Sequence, residues 1–350
     1  MDPEQHALEL IDRVRSKPPV FRDDQITMSH GAGGKASRAL VEGLLAPALG
    51  VRDLDDAAAI GELALTTDSF VVKPLRFPGG SIGELAVNGT VNDLAVSGAR
   101  PLAVTVSLVL EEGLGADHLR AEVEAMAAAA EAAGVEIVAG DTKVVERGRC
   151  DGMYVTTTGL GRLDPRAQLS PASLEAGDRI LVSGSIGDHG TAVMLARGEF
   201  ELEAPVESDT RSLWPAVDAL LDAAGPSLRA MRDATGGGVA TVLNELARSS
   251  DVAILVEEAR IPVKPAVVGA CEILGIDPMY VANEGTLVAF VAPEAADAAL
   301  SALRRAPGCE DAEEIGEVRT EPPGLVLVET GFGGRRVMDM LVGDPLPRIC

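Results

Sequence analysis

The stretch from Asp117 to Ala133 constrains this chain most. Leu119, Val123, Met126, Ala127 and Ala130 recur on one helix face, Gly134 stands where a helix ends, and the strand-like VEIVAG follows at once. A helix that runs straight into a strand, with loops at the strand ends, predicts an α/β (α+β) fold. The 350 residues suffice for two domains. Aromatic residues make up only 3% of the chain against 47% apolar residues, so Val, Leu, Ala and Ile must fill the cores.

Residues 1–25 read as a charged extension with a short amphipathic helix ended by Pro18-Pro19. A first domain follows over residues 26–165, with strands at Ala64–Thr67, Ala103–Leu110 and Tyr154–Gly159. A composition break at DPRAQLSPASLEAGDR leads to a second domain over residues 176–334. It carries a strand at Arg179–Ser183, helical runs near Trp214–Ala223 and Val239–Ser249, and strands at Leu287–Val291 and Leu325–Val328. Residues 335–350, beyond Gly331-Phe332-Gly333-Gly334, read as a mobile tail ending in Cys350.

A formal net charge of -24 repels nucleic acid and anionic membrane, so neither is an expected partner. No apolar run spans a bilayer, and the charged start has no signal-peptide core, which predicts a cytoplasmic protein. The four cysteines are scattered, which argues against a disulfide framework or a zinc site.

Acids border apolar segments at Asp55-Asp56 in DLDDAAAI, Asp68 in TTDSF, Asp93 in GTVNDLAVSGA and Asp141 in AGDTKVV. One such Asp is an ordinary turn or cap residue. Their repetition within one domain points to magnesium, which takes oxygen ligands and bridges carboxylates to nucleotide phosphates. Asn88 and Asn92 would share a helix face beside Asp93, turned either to a hydrated ion or to solvent. Two glycine-rich loops, His30–Lys35 and Thr235–Gly238, could cradle phosphate through backbone N–H groups. Neither is a Walker A loop, since Ser29 stands where glycine is needed and Ala36 follows Lys35.

Cys350 ends the tail after Pro345 and Pro347. Extended Pro-stiffened residues advance about 3.1 Å each, so the thiol could reach a distant site. Its own α-carboxylate opposes the thiolate, so a reactive Cys350 needs a cation or a base beside it. Lys143 and Glu284, the latter in YVANEGT, are the candidates.

The stretches HGAGGK, TTDSFVVKPLRFPGG, NDLAVSGARP, LEEGL, AGDTKVVERG, GDHGT, PVKPAV, ANEG and the terminal PRIC resemble the HypE hydrogenase-maturation family of the PurM-like ATP-binding superfamily, over residues 28–350. The resemblance implies a PurM-like two-domain fold: an N-terminal sheet domain that forms a homodimer, a C-terminal α/β domain and a flexible C-terminal tail. It implies ATP and Mg2+ between the domains, and a carbamoyl group delivered to the terminal thiol by the HypF carbamoyltransferase. ATP then activates the thiocarbamate oxygen, whose loss as phosphate leaves a thiocyanate. The resemblance further implies that the cyano group passes to iron on the HypC–HypD complex for nickel–iron hydrogenase.

By the same resemblance, Asp56, Asp68, Asn92, Asp93 and Asp141 fall in the magnesium–ATP segments, with Asp55 an equal partner of Asp56. The metal would be held from Asp55, Asp56, Asp68, Asp93 and Asp141, with Lys143 and Glu284 near the modified tail and Cys350 as carrier. Relatives often read DATRGG where this chain reads DATGGG, which leaves Gly236, Gly237 and Gly238 a backbone role. Two rival readings remain: a PurM-like synthetase or kinase acting on a free small molecule, and a non-enzymatic thiol carrier.

Overall fold

A computed structural model describes residues 19–52, 54–198, 204–343 and 348–350. The predicted N-terminal amphipathic helix lies outside these residues, as do Pro345 and Pro347. After a helical start (α1, Lys35–Leu40, through a π turn into α2, Ala46–Leu49), the first sheet is built from β1 (Ala58–Ile60), β2 (Leu63–Phe70), β5 (Ala99–Glu111), β6 (Glu136–Val145) and β7 (Met153–Leu163). Its order is β1-β2-β7-β5-β6, and β3 (Arg76–Phe77) pairs with β4 (Gly80–Ser81) in a small hairpin. Helix α3 (Ile82–Val96) packs on β2, β5 and β7, and α4 (Ala116–Ala133) packs on α3. Among the described residues no helix packs on the other face of this sheet, where Leu63 and Leu65 are exposed.

The second sheet has the order β14-β13-β10-β12-β8-β11-β9. Its strands are β8 (Arg179–Val182), β9 (Leu228–Asp233), β10 (Ala253–Glu257), β11 (Leu287–Val291), β12 (Glu313–Arg319), β13 (Val326–Glu329) and β14 (Arg335–Met338). The second domain's helices are α5 (Asp188–Ala196), α6 (Trp214–Ala224), α7 (Gly238–Ser249), α8 (Pro265–Leu274) and α9 (Ala296–Leu303). Side chains alternate along its strands. Ile180, Val182, Val288 and Phe290 join the core with Val239, Leu243 and Leu246 of α7. Leu181, Leu287, Ala289 and Val291 join the core with Leu220 of α6 and Leu303 of α9. Helices on both faces explain why these strands read as continuous apolar runs.

Helix α3 is the spine between the domains, touching the first sheet on one side and β9 and α6 on the other. Such a helix must be apolar or small all round, and in α3 only Glu84 and Asp93 escape full burial. Two expectations change here. Residues 335–338 form a strand paired with β13, because Val326–Glu329 would otherwise be an open edge, so the tail does not become free at residue 335. Strand β6 runs on to Val145, so Asp141 and Lys143 lie within a strand and not in a loop beyond it. Among the described residues no helix is long and apolar enough to cross a membrane.

Candidate functional site

The opening in α3 at Asp93 is the floor of the site. Thr66 Oγ1 donates to Asp93 Oδ2 at 2.8 Å, which joins the helix to β2. Burial pushes the Asp93 carboxyl well above its ordinary range, and Asp233, Asp56 and Asp68 add repulsion. Asp233 rises to about 8 through burial and the nearby Asp56 charge. Asp56 rises to about 6 through burial, with Arg232 opposing and Asp55 adding. Asp68 is raised by desolvation, against the Ser69 N–H that it accepts. Glu284, 2% exposed, is raised well above the usual range by burial and then by Asp233, Asp68 and Asp209. Five acids from both domains thus crowd one cleft, and among the described residues only Arg232 offers an opposing charge at close range: it pairs with Asp56, and with Asp55 at 2.9 Å.

Such an arrangement is short of cations. Asp56 Oδ2, Asp233 Oδ2 and Glu284 Oε1 are buried without a hydrogen-bond partner, a state that costs free energy unless a proton or cation satisfies it. Among the described residues no three carboxylate, imidazole or thiol groups converge tightly enough to enclose an ion by themselves. Magnesium tolerates that, because it keeps waters and takes phosphate oxygens beside one or two carboxylates. The donor set therefore fits magnesium brought in with a nucleotide.

The two glycine loops face each other across this cleft. A Cβ on Gly33 would lie 2.3 Å from the Gly236 carbonyl oxygen, and Thr241 Oγ1 donates to Gly33 O at 3.2 Å. Gly237 and Gly238 enter α7 at φ of +78° and +63°, which side-chain-bearing residues rarely adopt. Three cavities adjoin there. The largest, about 840 Å³, is lined by Arg38, Asp55, Arg232, Glu245 and Arg248 and has the size of a nucleotide pocket. It shares Gly33, Arg232 and Glu245 with a cavity of about 240 Å³ that holds Asp56 and Asp233. That one shares Gly236 with a third, about 260 Å³, lined by Ser69, Val71, Gly237, Tyr280 and Cys350.

Cys350 is thus docked at the third cavity. Val71 N–H donates to Cys350 O at 3.1 Å and Lys73 N–H to Arg348 O at 3.4 Å. Ile349, 4% exposed, joins the core that contains Phe70, Val72 and Phe77. Arg348 pairs with Asp151, which falls to about 2 chiefly through that bond. Glu284 is near the same strand end: a Cβ on Gly89 would sit 2.8 Å from the Phe70 ring and 3.8 Å from Glu284 Oε2.

Not every expected residue joins this assembly. Asp141 and Lys143 pair with each other at 2.6 Å, both more than half exposed. The register explains why. Asp141 lies in one row with Ser107, Thr156 and Ser69, whereas Asp68 lies in the next row with Thr157, whose hydroxyl donates to Ala86 O of α3. Successive rows point to opposite faces, so Asp141 and Lys143 occupy the bare face, away from the cleft and three strands, roughly 14 Å, from β2. Asn92 also departs from expectation. Its amide nitrogen donates to Arg211 O and Glu284 O and its oxygen accepts from Leu213 N, so it braces the loop before Glu284 and does not face a nucleotide. Asn88 is likewise buried and donates to Thr210, so neither the ion-facing nor the solvent-facing reading holds for it. Asp55 turns to Arg232 at the wall of the large cavity. Asp233 and Arg232 went unremarked in the sequence, although the acid of RDATGGG directly before a glycine turn was a usable signal.

Comparison with known proteins fits this geometry. Residues 54–163 match the family model "AIR synthase related protein, N-terminal domain" and residues 175–328 the corresponding C-terminal domain. The carbamoyl dehydratase HypE of Rhodobacter capsulatus is 47% identical over 339 residues, covering 94% of this chain and 99% of that protein. A crystal structure of a HypE–HypF complex superposes with a TM-score of 0.83 at 45% identity, covering 87% of this chain and all of that one (100%). A crystal structure of HypE in complex with ATP superposes at 0.80 with 43% identity, covering 93% and 100%.

Proposed function

This chain belongs to the HypE family of carbamoyl dehydratases, and we propose that it uses ATP to dehydrate a carbamoyl group carried on its own Cys350 to a thiocyanate. The observation that carries this reading is the docked terminus. Cys350 lines the same cavity as Gly236 and Gly237, and its carboxylate is held by Val71, three residues along an extended segment from Asp68, or roughly 10 Å.

The thiocarbamate oxygen attacks the γ-phosphorus of ATP, ADP leaves, and one amide proton is lost. The C–O bond then breaks, phosphate departs with its electron pair, and the second nitrogen proton leaves as S–C≡N forms. Glu284 is the proposed acceptor of one nitrogen proton, the other passing to water or phosphate; its support is a pKa raised by burial and anionic neighbours, which makes the ionised group a stronger base than a carboxylate in water. Asp56, Asp68, Asp93 and Asp233 would hold Mg2+, which supplies charge neutralisation for the triphosphate when bound. Gly33, Gly236 and Gly237 line the cavities between nucleotide and thiol with backbone alone, the positive φ of Gly33 and Gly237 supports that role, and Gly238 opens α7 behind them.

We further propose a homodimer through the open face of the first sheet, which carries Leu63 and Leu65 on β2 and, three strands away, Lys143 on β6 with Val109 beside it. Lys143 would then steady oxygen and phosphate charge in the site of the other subunit, and Asp141 would hold Lys143 in place. HypF, seen bound to a relative, would load the thiol in the cytoplasm, and HypC–HypD would accept the cyano group.

Intact-mass measurement decides the main reading. After loading by HypF with carbamoyl phosphate, the chain should lose one water when ATP and Mg2+ are added. Persistence of the carbamoyl mass defeats it, and ATP-driven turnover of a free substrate by tail-truncated protein would favour the small-molecule rival.

A further inference from the structure

We propose that His189 and Ser208 form a latch that sets the Cys350 tail in register with Glu284, a positioning pair for the dehydration step. The proposal rests on the function assigned above to those two residues. His189 is fully buried on α5, with the Phe77 ring edge-on at 5.3 Å. Its Nε2 lies 3.0 Å from the carbonyl oxygen of Ile349 and its Nδ1 lies 2.8 Å from Ser208 Oγ.

These partners fix the ring's protons. A carbonyl can only accept, so Nε2 carries the N–H and donates to Ile349 O. The neutral ring, which burial favours, then accepts at Nδ1 from the Ser208 hydroxyl. Ser208 Oγ in turn accepts from Thr210 N–H at 3.1 Å. One ordered chain of hydrogen bonds thus runs from residue 210 to the peptide bond that carries Cys350.

The adjacent residue grips the other partner. Asp209 accepts from Glu284 N–H and Gly285 N–H, each at 3.0 Å, and from the Thr286 hydroxyl at 3.0 Å. The segment that bears both groups is anchored in turn: Ser208 N–H donates to Pro78 O, and Asn92 clamps Arg211 and Leu213. Residues 208 and 209 therefore act as a ruler, one holding the carrier tail and the next holding the loop of the base. A near-attack geometry needs just this kind of shared frame, because a displacement of about 1 Å can cost two orders of magnitude in rate.

Hydrogen exchange tests the latch without any chemistry. Val71 and Lys73 N–H groups donate to the tail, so their protection reports its docking. In full-length protein without nucleotide, His189→Ala should speed exchange over residues 71–73 about tenfold, the scale of one lost buried hydrogen bond. Ser208→Ala, a milder change, should give a smaller rise, and His189→Gln, which keeps a donor, should restore part of the protection. Unchanged exchange in both Ala variants overturns the latch. On HypF-loaded protein, His189→Ala should slow dehydration at least tenfold with ATP affinity and carbamoylation retained. Normal dehydration in a variant whose tail exchanges freely overturns the positioning role. If wild-type protein fails to dehydrate, the assigned function falls, while the exchange result still decides whether the latch exists.

Discussion

The cleft at the foot of α3 and the strand β6 both carry acids that the sequence made equally prominent, yet their physics is opposite. In the cleft, burial and mutual repulsion raise Asp56, Asp93, Asp233 and Glu284, and three of these acids leave a buried oxygen unpartnered. On β6, Asp141 sits in water and Lys143 draws its carboxyl down by direct hydrogen bonding. An aspartate primed for a cation is one that the fold has deprived of water and partners; an aspartate with its own lysine is already satisfied within the chain.

The contrast can be broken most sharply at the base. Glu284→Gln should lower dehydration by roughly 10²-fold or more with carbamoylation intact, read as the mass change in single turnover. Equal rates would remove Glu284 from the chemistry. Asp233→Asn should come next, weakening magnesium–ATP binding by about tenfold in calorimetry while raising the melting temperature of the nucleotide-free chain above about pH 8, where it removes a buried charge. A nucleotide affinity that does not move would show that Asp233 holds no cation.

Lys143 offers the test between subunits. Lys143→Ala and Cys350→Ala chains, each inactive alone, should regain dehydration when mixed and refolded together, because one mixed site keeps both groups. Continued inactivity with dimers formed would mean that Lys143 does not serve the other subunit.

The pH response is weaker but has a definite sign. Asp56 titrates at about 6 and Asp233 at about 8 when folded, and an unfolded Asp titrates near 4. Between those values the folded chain holds protons that the unfolded chain has released, so their contribution to stability is complete below about 4 and is lost as pH rises through 6 to 8. Melting curves of the nucleotide-free protein should fall across that window, and magnesium–ATP should recover most at its upper end. A curve that rises with pH would contradict the crowded cleft. The smallest change belongs to Asp141→Asn, which should leave the melting temperature of the isolated subunit unmoved. A marked drop would mean that β6 is not the open strand described here.

Much of the fold was legible because it is written in local periodicity. The Asp117–Ala133 helix was placed to within one residue, and Leu287–Val291 matched its strand. The site was legible only in part. Asp56, Asp68, Asp93, Glu284 and the glycine loops do meet, but Asn92 is a brace, and Asp141 and Lys143 sit on the other face of the sheet. Side-chain alternation in a strand is easy to see in a sequence; which parity faces the helices depends on pairing register, and register is a long-range property.

The sequence by itself determined the two-domain α/β plan, the glycine turns into helices and the presence of a terminal thiol, since these rest on backbone conformation, periodicity and composition. Tertiary structure alone decided that the tail docks at residues 71–73, that Arg232 divides itself between Asp55 and Asp56, and that Asp233 completes the acidic cleft. The physical reason is that burial and Coulomb energy depend on which distant segments pack together, and no local pattern of residues records that distance.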